Sequence, residues 1–172
     1  MQYAIEFQVD HLNKALEAVR REIATPQQML GRIGESLLRV NRDRHNAGLA
    51  PDGSKWKPLA ESTLKEKRKG GILYKSGDML NSFNRQVDGD TLRLGFYGNR
   101  EAELAGFHHL GTKHYTIEAK NGKALKFAGI YRKRVNHPGL PSRPLVGFPI
   151  SDQKLTVDLI EDHLLNVLNN VR

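Results

Sequence analysis

A chain of 172 residues is long enough for one domain with a genuine core, but only 38% of it is hydrophobic, so long loops must find their order against neighbouring molecules. The absence of Cys excludes disulfides and thiolate metal sites and fits a reducing cytoplasm or a particle assembled inside one. No secretory pattern opens the chain and no apolar run approaches the roughly 18–20 residues that cross a bilayer, which predicts no membrane partner, while a net charge of +8 favours acidic ones.

Tyr3, Ile5, Phe7 and Val9 alternate with Ala4, Glu6 and Gln8, the pattern of a half-buried strand. Asp10 then stands as N-cap of a helix striped by Leu12, Ala15, Leu16, Val19 and Ile23. Thr25-Pro26-Gln27-Gln28 reads as a restart, with Thr as cap, Pro at the first helical position and Gln completing a capping box. The second helix carries Met29, Leu30, Ile33, Leu37 and Val40 on one face and runs to Arg44 or His45, ahead of a turn at Gly48.

Residues 48 to 83 contain the only Trp. Pro51-Asp52-Gly53 is a turn: Pro presets φ, Asp bonds backbone two residues on, and Gly tolerates positive φ. Trp56 and Pro58 follow, so a large ring sits on a segment that is neither mid-helix nor central strand. Leu59, Leu64 and Leu80 are its expected lids, and its role is either to anchor the loop or to contact a neighbouring subunit. A short helix opens at Ser62 or Thr63, exposes Lys65, Glu66, Lys67, Arg68 and Lys69, and stops at Gly70-Gly71. From Lys55 to Lys75 seven basic residues face two acids, which suits a polyanion or a solvated loop. Ser76 or Asp78 caps a further short helix presenting Met79, Leu80 and Phe83.

Asp88-Gly89-Asp90 joins two strands of a hairpin with Leu92, Leu94 and Phe96 on one face. Glu101 to Leu110 reads as a helix ended by Gly111. Asn121-Gly122, between 115–120 and 123–127, is the best two-residue hairpin signal, predicting a projecting arm, and residues 130–135 form a further strand. Eight Lys and Arg against the single acid Glu118 lie between Lys113 and Arg143, which suits nucleic acid or an acidic protein. Pro138, Pro141 and Pro144 make 137–144 a stiff strap that holds Arg143 as a rigid fork of donors, for a partner or for its own subunit. Ser151 or Asp152 opens a last helix along Leu155, Leu159 or Ile160, Leu164, Val167, Leu168 and Val171.

No catalytic constellation emerges. His108, His109 and His114 fit no metal-site spacing, and neither a GxSxG nucleophile nor a Gly-rich phosphate loop is present. The chain reads as a non-enzyme that needs no cofactor and no metal. The candidate interface residues are Trp56, Lys67, Arg68, Lys120, Lys123, Lys126, Arg132, Arg134 and Arg143.

Two separated signatures carry a resemblance: GLAPDGSKWKPL with LYKSGDMLNSF, and FHHLGT with KALKF and HPGLPSRPLVGF. Together they resemble the phage virion morphogenesis (tail completion) family of tailed bacteriophages, including Mu-like phages, over roughly residues 33 to 168. The positions that carry it are Pro51, Asp52, Gly53, Trp56, Leu59, Gly77, Leu80, Gly111, Pro141 and Pro144. The resemblance implies an α+β fold, a small antiparallel sheet with flanking helices, long loops and a projecting β-hairpin, as one domain over 1–172 with arms at about 46–76 and 112–144. It implies a structural protein of the tail or neck, assembled in the host cytoplasm into a hexameric ring. Its partners would be tail-tube and head–tail connector proteins, with DNA in the lumen as a further contact. A basic nucleic-acid-binding protein is the alternative.

Overall fold

The computed structural model describes residues 9–67, 70–120, 124–127 and 129–171 and is α+β. Its helices are α1 (Val9–Ala24), α2 (Gln27–Ala47), α3 (Glu61–Glu66), α4 (Asp78–Ser82), α5 (Asn99–Leu110) and α6 (Ile150–Asn169). Its strands are β1 (Phe83–Asp88), β2 (Thr91–Phe96), β3 (Tyr115–Glu118), β4 (Leu125–Phe127), β5 (Ile130–Arg132) and β6 (Arg134–His137). The chain divides into two compact units. Unit 1 is Met1–Leu38, Arg85–Leu94 and Phe148–Arg172, and unit 2 is Arg39–Asn84 and Gly95–Gly147.

The strand expected over Tyr3–Val9 lies outside the described residues except for Val9, which already begins α1. Asp10 accordingly sits in the first helical turn. Thr25 closes α1, its hydroxyl donating to the Arg21 carbonyl at 3.0 Å, and the Pro26 carbonyl accepts the first bond of α2 from the Leu30 N–H. The restart is thus where the sequence puts it, with Thr25 serving the outgoing helix.

Unit 1 packs α1 against α6. Its buried apolar residues on α2 are Ile33, Leu37 and Leu38. Gly34 lets the hairpin come close, since a Cβ there would stand 2.5 Å from the Arg85 side chain and 2.8 Å from Leu92. Arg85 fastens the approach by reaching Glu35 at 2.7–2.8 Å. On α6, His163 is buried between Arg32 (3.4 Å to Nδ1) and Glu22 (2.7 Å to Nε2). Arginine only donates, so Nδ1 accepts and the Nε2–H donates to Glu22. The sequence reading did not foresee this triad, because its members are 131 and 141 residues apart. Nor did it foresee that Leu12, Leu16 and Ile23 of the α1 stripe would be left 55–59% exposed, together with Val9 at the start of the helix at 54%.

Among the described residues the strands form three two-stranded sheets, β1–β2, β3–β6 and β4–β5. Here the Asn121-Gly122 expectation needs correction. Those two residues lie outside the described residues, but β3 does not pair with β4. It pairs antiparallel with β6, Tyr115 opposite His137 and Glu118 opposite Arg134, while β4 pairs with β5, Leu125 opposite Arg132 and Phe127 opposite Ile130. The two strand pairs follow one another in the chain and are together called the ribbon below, and Gly129, between β4 and β5, takes φ 79°. The pairing is nested: β3 with β6, prolonged by the Ala119 N–H donating to the Lys133 carbonyl at 2.9 Å, encloses β4 with β5.

Candidate functional site

The Pro51-Asp52-Gly53 turn and the proline strap meet inside unit 2. Asp52 organises the turn: its carboxylate accepts the Ser54 N–H at 2.9 Å and the Ser54 hydroxyl at 2.6 Å, bonds that hold its pKa below the usual carboxylate value. Gly53 takes φ 83°, and Gly53 N–H donates to the Ala50 carbonyl at 2.9 Å. The Pro51 carbonyl is held by Arg44 at 2.9 Å. The reversed chain carries Trp56 into the core at 5% exposure, among Ala50, Met79, Ala105 and Leu145, with Ile72, Leu73 and Phe96 packed alongside. Among the expected lids, Leu64 is exposed and Leu59 and Leu80 are half-buried outside this cluster. Trp56 is covered from α2 and the strap instead: His45 meets it edge-on at 5.1 Å, and the indole N–H donates to the Pro144 carbonyl at 2.9 Å.

Arg143 completes the joint. Its Nε donates to the Lys57 carbonyl at 2.9 Å and its Nη2 to the Pro58 carbonyl at 3.0 Å, and the residue is 4% exposed. Of the two roles open to the fork, a partner or its own subunit, the bonds observed are the internal ones, because two consecutive carbonyls of an extended, proline-stiffened loop match guanidinium spacing. The strap is fixed to the end of α5 as well. Arg143 N–H donates to the His108 carbonyl at 2.8 Å, the Ser142 hydroxyl to the His109 carbonyl at 2.7 Å, and Leu145 N–H to His109 Nδ1 at 3.1 Å. Thr112 exchanges two bonds of 2.9 Å with Leu140, through its N–H and its hydroxyl. Gly111 at φ 77° and Gly139 at φ 92° make this approach possible, since a Cβ on Gly111 would meet the Leu140 carbonyl at 2.7 Å and one on Gly139 the Lys113 carbonyl at 2.7 Å. Gly77, at φ 96°, starts α4 and so aims Met79 into the same core.

Burial shapes the titration of this joint. His45 and His108 are held below the ordinary imidazole pKa by desolvation, His108 further by the nearby Arg143 charge. His45 Nε2 and His108 Nδ1 are buried without a hydrogen-bond partner. Neither residue is an interface candidate in the sequence, although His108 stands beside His109 in the FHHLGT signature.

The remaining candidate residues lie elsewhere. Lys67 is half-buried and its ammonium donates to the Gly71 carbonyl. Arg68 and Lys123 lie outside the described residues. Lys120, Lys126, Arg132 and Arg134 are exposed on the ribbon, with Lys126 5.9 Å from the Tyr131 ring and Arg134 3.4 Å from Glu118. The joint therefore brings together Trp56, Arg143 and Pro144, and the ribbon separately collects the cations. Among the described residues no cluster of three His, Asp or Glu is placed to hold a metal ion, and no helix is long and apolar enough to cross a membrane.

The family model described as the phage virion morphogenesis family matches residues 7–165. No curated protein and no solved structure matches the chain.

Proposed function

The chain belongs to the phage virion morphogenesis family, and on that premise we propose that it is a non-enzymatic structural protein acting at the head-proximal end of the tail or in the neck. It works as a closed homo-oligomeric ring, a hexamer, between tail-tube and head–tail connector proteins. The family match over nearly the whole chain is the observation that carries this reading.

Two physical features support self-association. The stripe Val9, Leu12, Leu16, Val19 and Ile23 repeats at 3-4-3-4 spacing, that of a helix-pairing seam, and four of its five residues are more than half exposed. Charge is also divided: unit 2 carries nineteen Lys and Arg against eight Asp and Glu, while unit 1 carries eight against eleven. Head-to-tail contacts join unlike surfaces and close into rings, so opposite net charges on the two units favour that mode over an isologous dimer.

Native mass spectrometry of the purified protein, together with localisation of the chain in assembled particles by cryo-electron microscopy, tests the reading. A ring of density in the tail or neck is expected. A chain absent from mature particles would overturn it.

A further inference from the structure

The ribbon, made of the strand pairs β3–β6 and β4–β5, is a different object from the joint. The joint spends its polar groups on its own backbone, whereas the ribbon holds its charges outward. Within it, Lys120, Lys126, Arg132, Lys133 and Arg134 are exposed, and Lys113 is exposed just before it. The sole acid of the segment, Glu118, is the cross-strand neighbour of Arg134 and pairs with it at 3.4 Å. All of β5 is exposed, Tyr131 at 66%. Register sets the faces. Lys126 lies opposite Tyr131, and Arg132 lies opposite Leu125 on the other side, so cations stand on both faces.

We propose that this ribbon is a binding surface for duplex DNA, seated in a groove and held by phosphates. A two-stranded antiparallel ribbon has the cross-section that a major groove admits, and cations on both faces meet the phosphate walls on either side. A protein partner fits less well. The centres of protein interfaces are depleted of charge and rich in apolar area, while the outer ribbon offers Ile130 and Tyr131 amid four exposed Lys and Arg. The contact is one of charge and shape, with Tyr131 supplying a hydroxyl and the cations supplying positive charge, so it reads duplex form more than sequence.

This goes beyond the assembly role and is measured apart from it. Fluorescence anisotropy of a labelled 20-base-pair duplex with the full chain, over a salt series, should show log K falling against log salt with a slope of about −4 to −5, as expected for some five phosphates neutralised. Arg132→Glu/Lys133→Glu should weaken binding at least tenfold at low salt and make the slope shallower by about 2, at an unchanged melting temperature. Lys126→Gln/Lys133→Gln provides a milder second pair should the first perturb the ribbon. Lys14→Glu/Arg20→Glu, an equal charge reversal on α1, should change affinity less than threefold. A slope shallower than −2, equal losses in the two charge-reversal pairs, tighter binding to a labelled 20-residue polyglutamate, or tighter binding to single strands would each overturn the proposal. A chain that enters particles but binds no duplex would sink this inference and leave the assembly role standing.

Discussion

Trp56 and Pro144 are 88 residues apart in sequence, yet the indole N–H of the first donates to the carbonyl of the second at 2.9 Å. The loop after α2 and the strap before α6 are therefore one joint, in which a ring is buried by the same segment that satisfies its only donor. Trp56→Ala should cost about 3–5 kcal/mol, the range for truncating a large buried aromatic. Trp56→Phe keeps most of the apolar contact and loses the hydrogen bond, so about 1 kcal/mol beyond any packing mismatch is expected. Urea unfolding of the purified chain measures both, and a Trp56→Ala protein within 0.5 kcal/mol of wild type would deny the joint its role.

Arg143 offers a sharper test, because a surface contact and an internal brace predict opposite outcomes for the same substitution. Its two bonds to Lys57 and Pro58 need a planar fork. Lysine brings one ammonium on a flexible stem and cannot hold both carbonyls in that geometry. Arg143→Lys should destabilise the isolated chain by about 1.5–3 kcal/mol, the scale of charge-assisted bonds. Unchanged stability with failed particle assembly would return Arg143 to an interface.

The elements of this fold were largely legible because their signals are local. The helical stripes, the Pro51-Asp52-Gly53 turn, the Asp88-Gly89-Asp90 hairpin and the stop at Gly111 each depend on a few adjacent residues, and each appears where its chemistry places it. What was illegible is pairing. Asn121-Gly122 is the stronger turn dipeptide, yet Tyr115–Glu118 bonds to Arg134–His137, a choice made by distant strands. Trp56 was recognisable as an anchor from its isolation among prolines, but not its cover by His45 and Pro144, since no spacing rule links residues 45, 56 and 144. The outward cations of the ribbon were visible as composition, and only the register assigns them to faces.

Two glycines separate conformational cost from crowding. Gly53 and Gly139 have similar positive φ, 83° and 92°, but nothing lies within 4 Å of a Cβ on Gly53, while one on Gly139 would press on the Thr112 and Lys113 carbonyls. Gly53→Ala should cost about 1–2 kcal/mol, the left-handed penalty alone. Gly139→Ala should exceed it by at least about 1 kcal/mol, since overpacking typically costs 1–3 kcal/mol. Equal losses in thermal unfolding would mean that the strap yields at no cost and is not fixed against residues 112–113.

The exposed seam of α1 predicts the reverse pattern, loss of assembly without loss of fold. Leu12 and Leu16 are 55% and 58% exposed, so Leu12→Glu/Leu16→Glu should shift monomer stability by no more than about 0.5 kcal/mol per site, as surface changes do. Placing two carboxylates on this apolar seam would oppose its burial against a neighbouring subunit in a ring. Light scattering after size exclusion should then report a smaller species than wild type at the same concentration. An unchanged assembled mass would remove α1 from the subunit contact.

The joint should also give the fold an acid-side weakness. His45 and His108 are held neutral by burial, with pKa values below the ordinary 6.5, while in the unfolded chain they titrate normally. Between the folded and unfolded values the unfolded state binds more protons, so stability rises with pH there. The stabilisation of the neutral rings is complete above about pH 6.5 and is lost as pH falls below it, at up to about 1.4 kcal/mol per pH unit for each group until the folded pKa is reached. His45 has the clearer case: its Nε2 is buried with no partner, so a proton added there has no acceptor, and its ring is held edge-on to Trp56. Urea midpoints measured from pH 8 to pH 5 should hold level and then decline, and His45→Phe, which cannot be protonated, should flatten part of that decline. Stability that rose on acidification across this window, or an unaltered slope in His45→Phe, would show that His45 is not a neutral ring of the Trp56 joint.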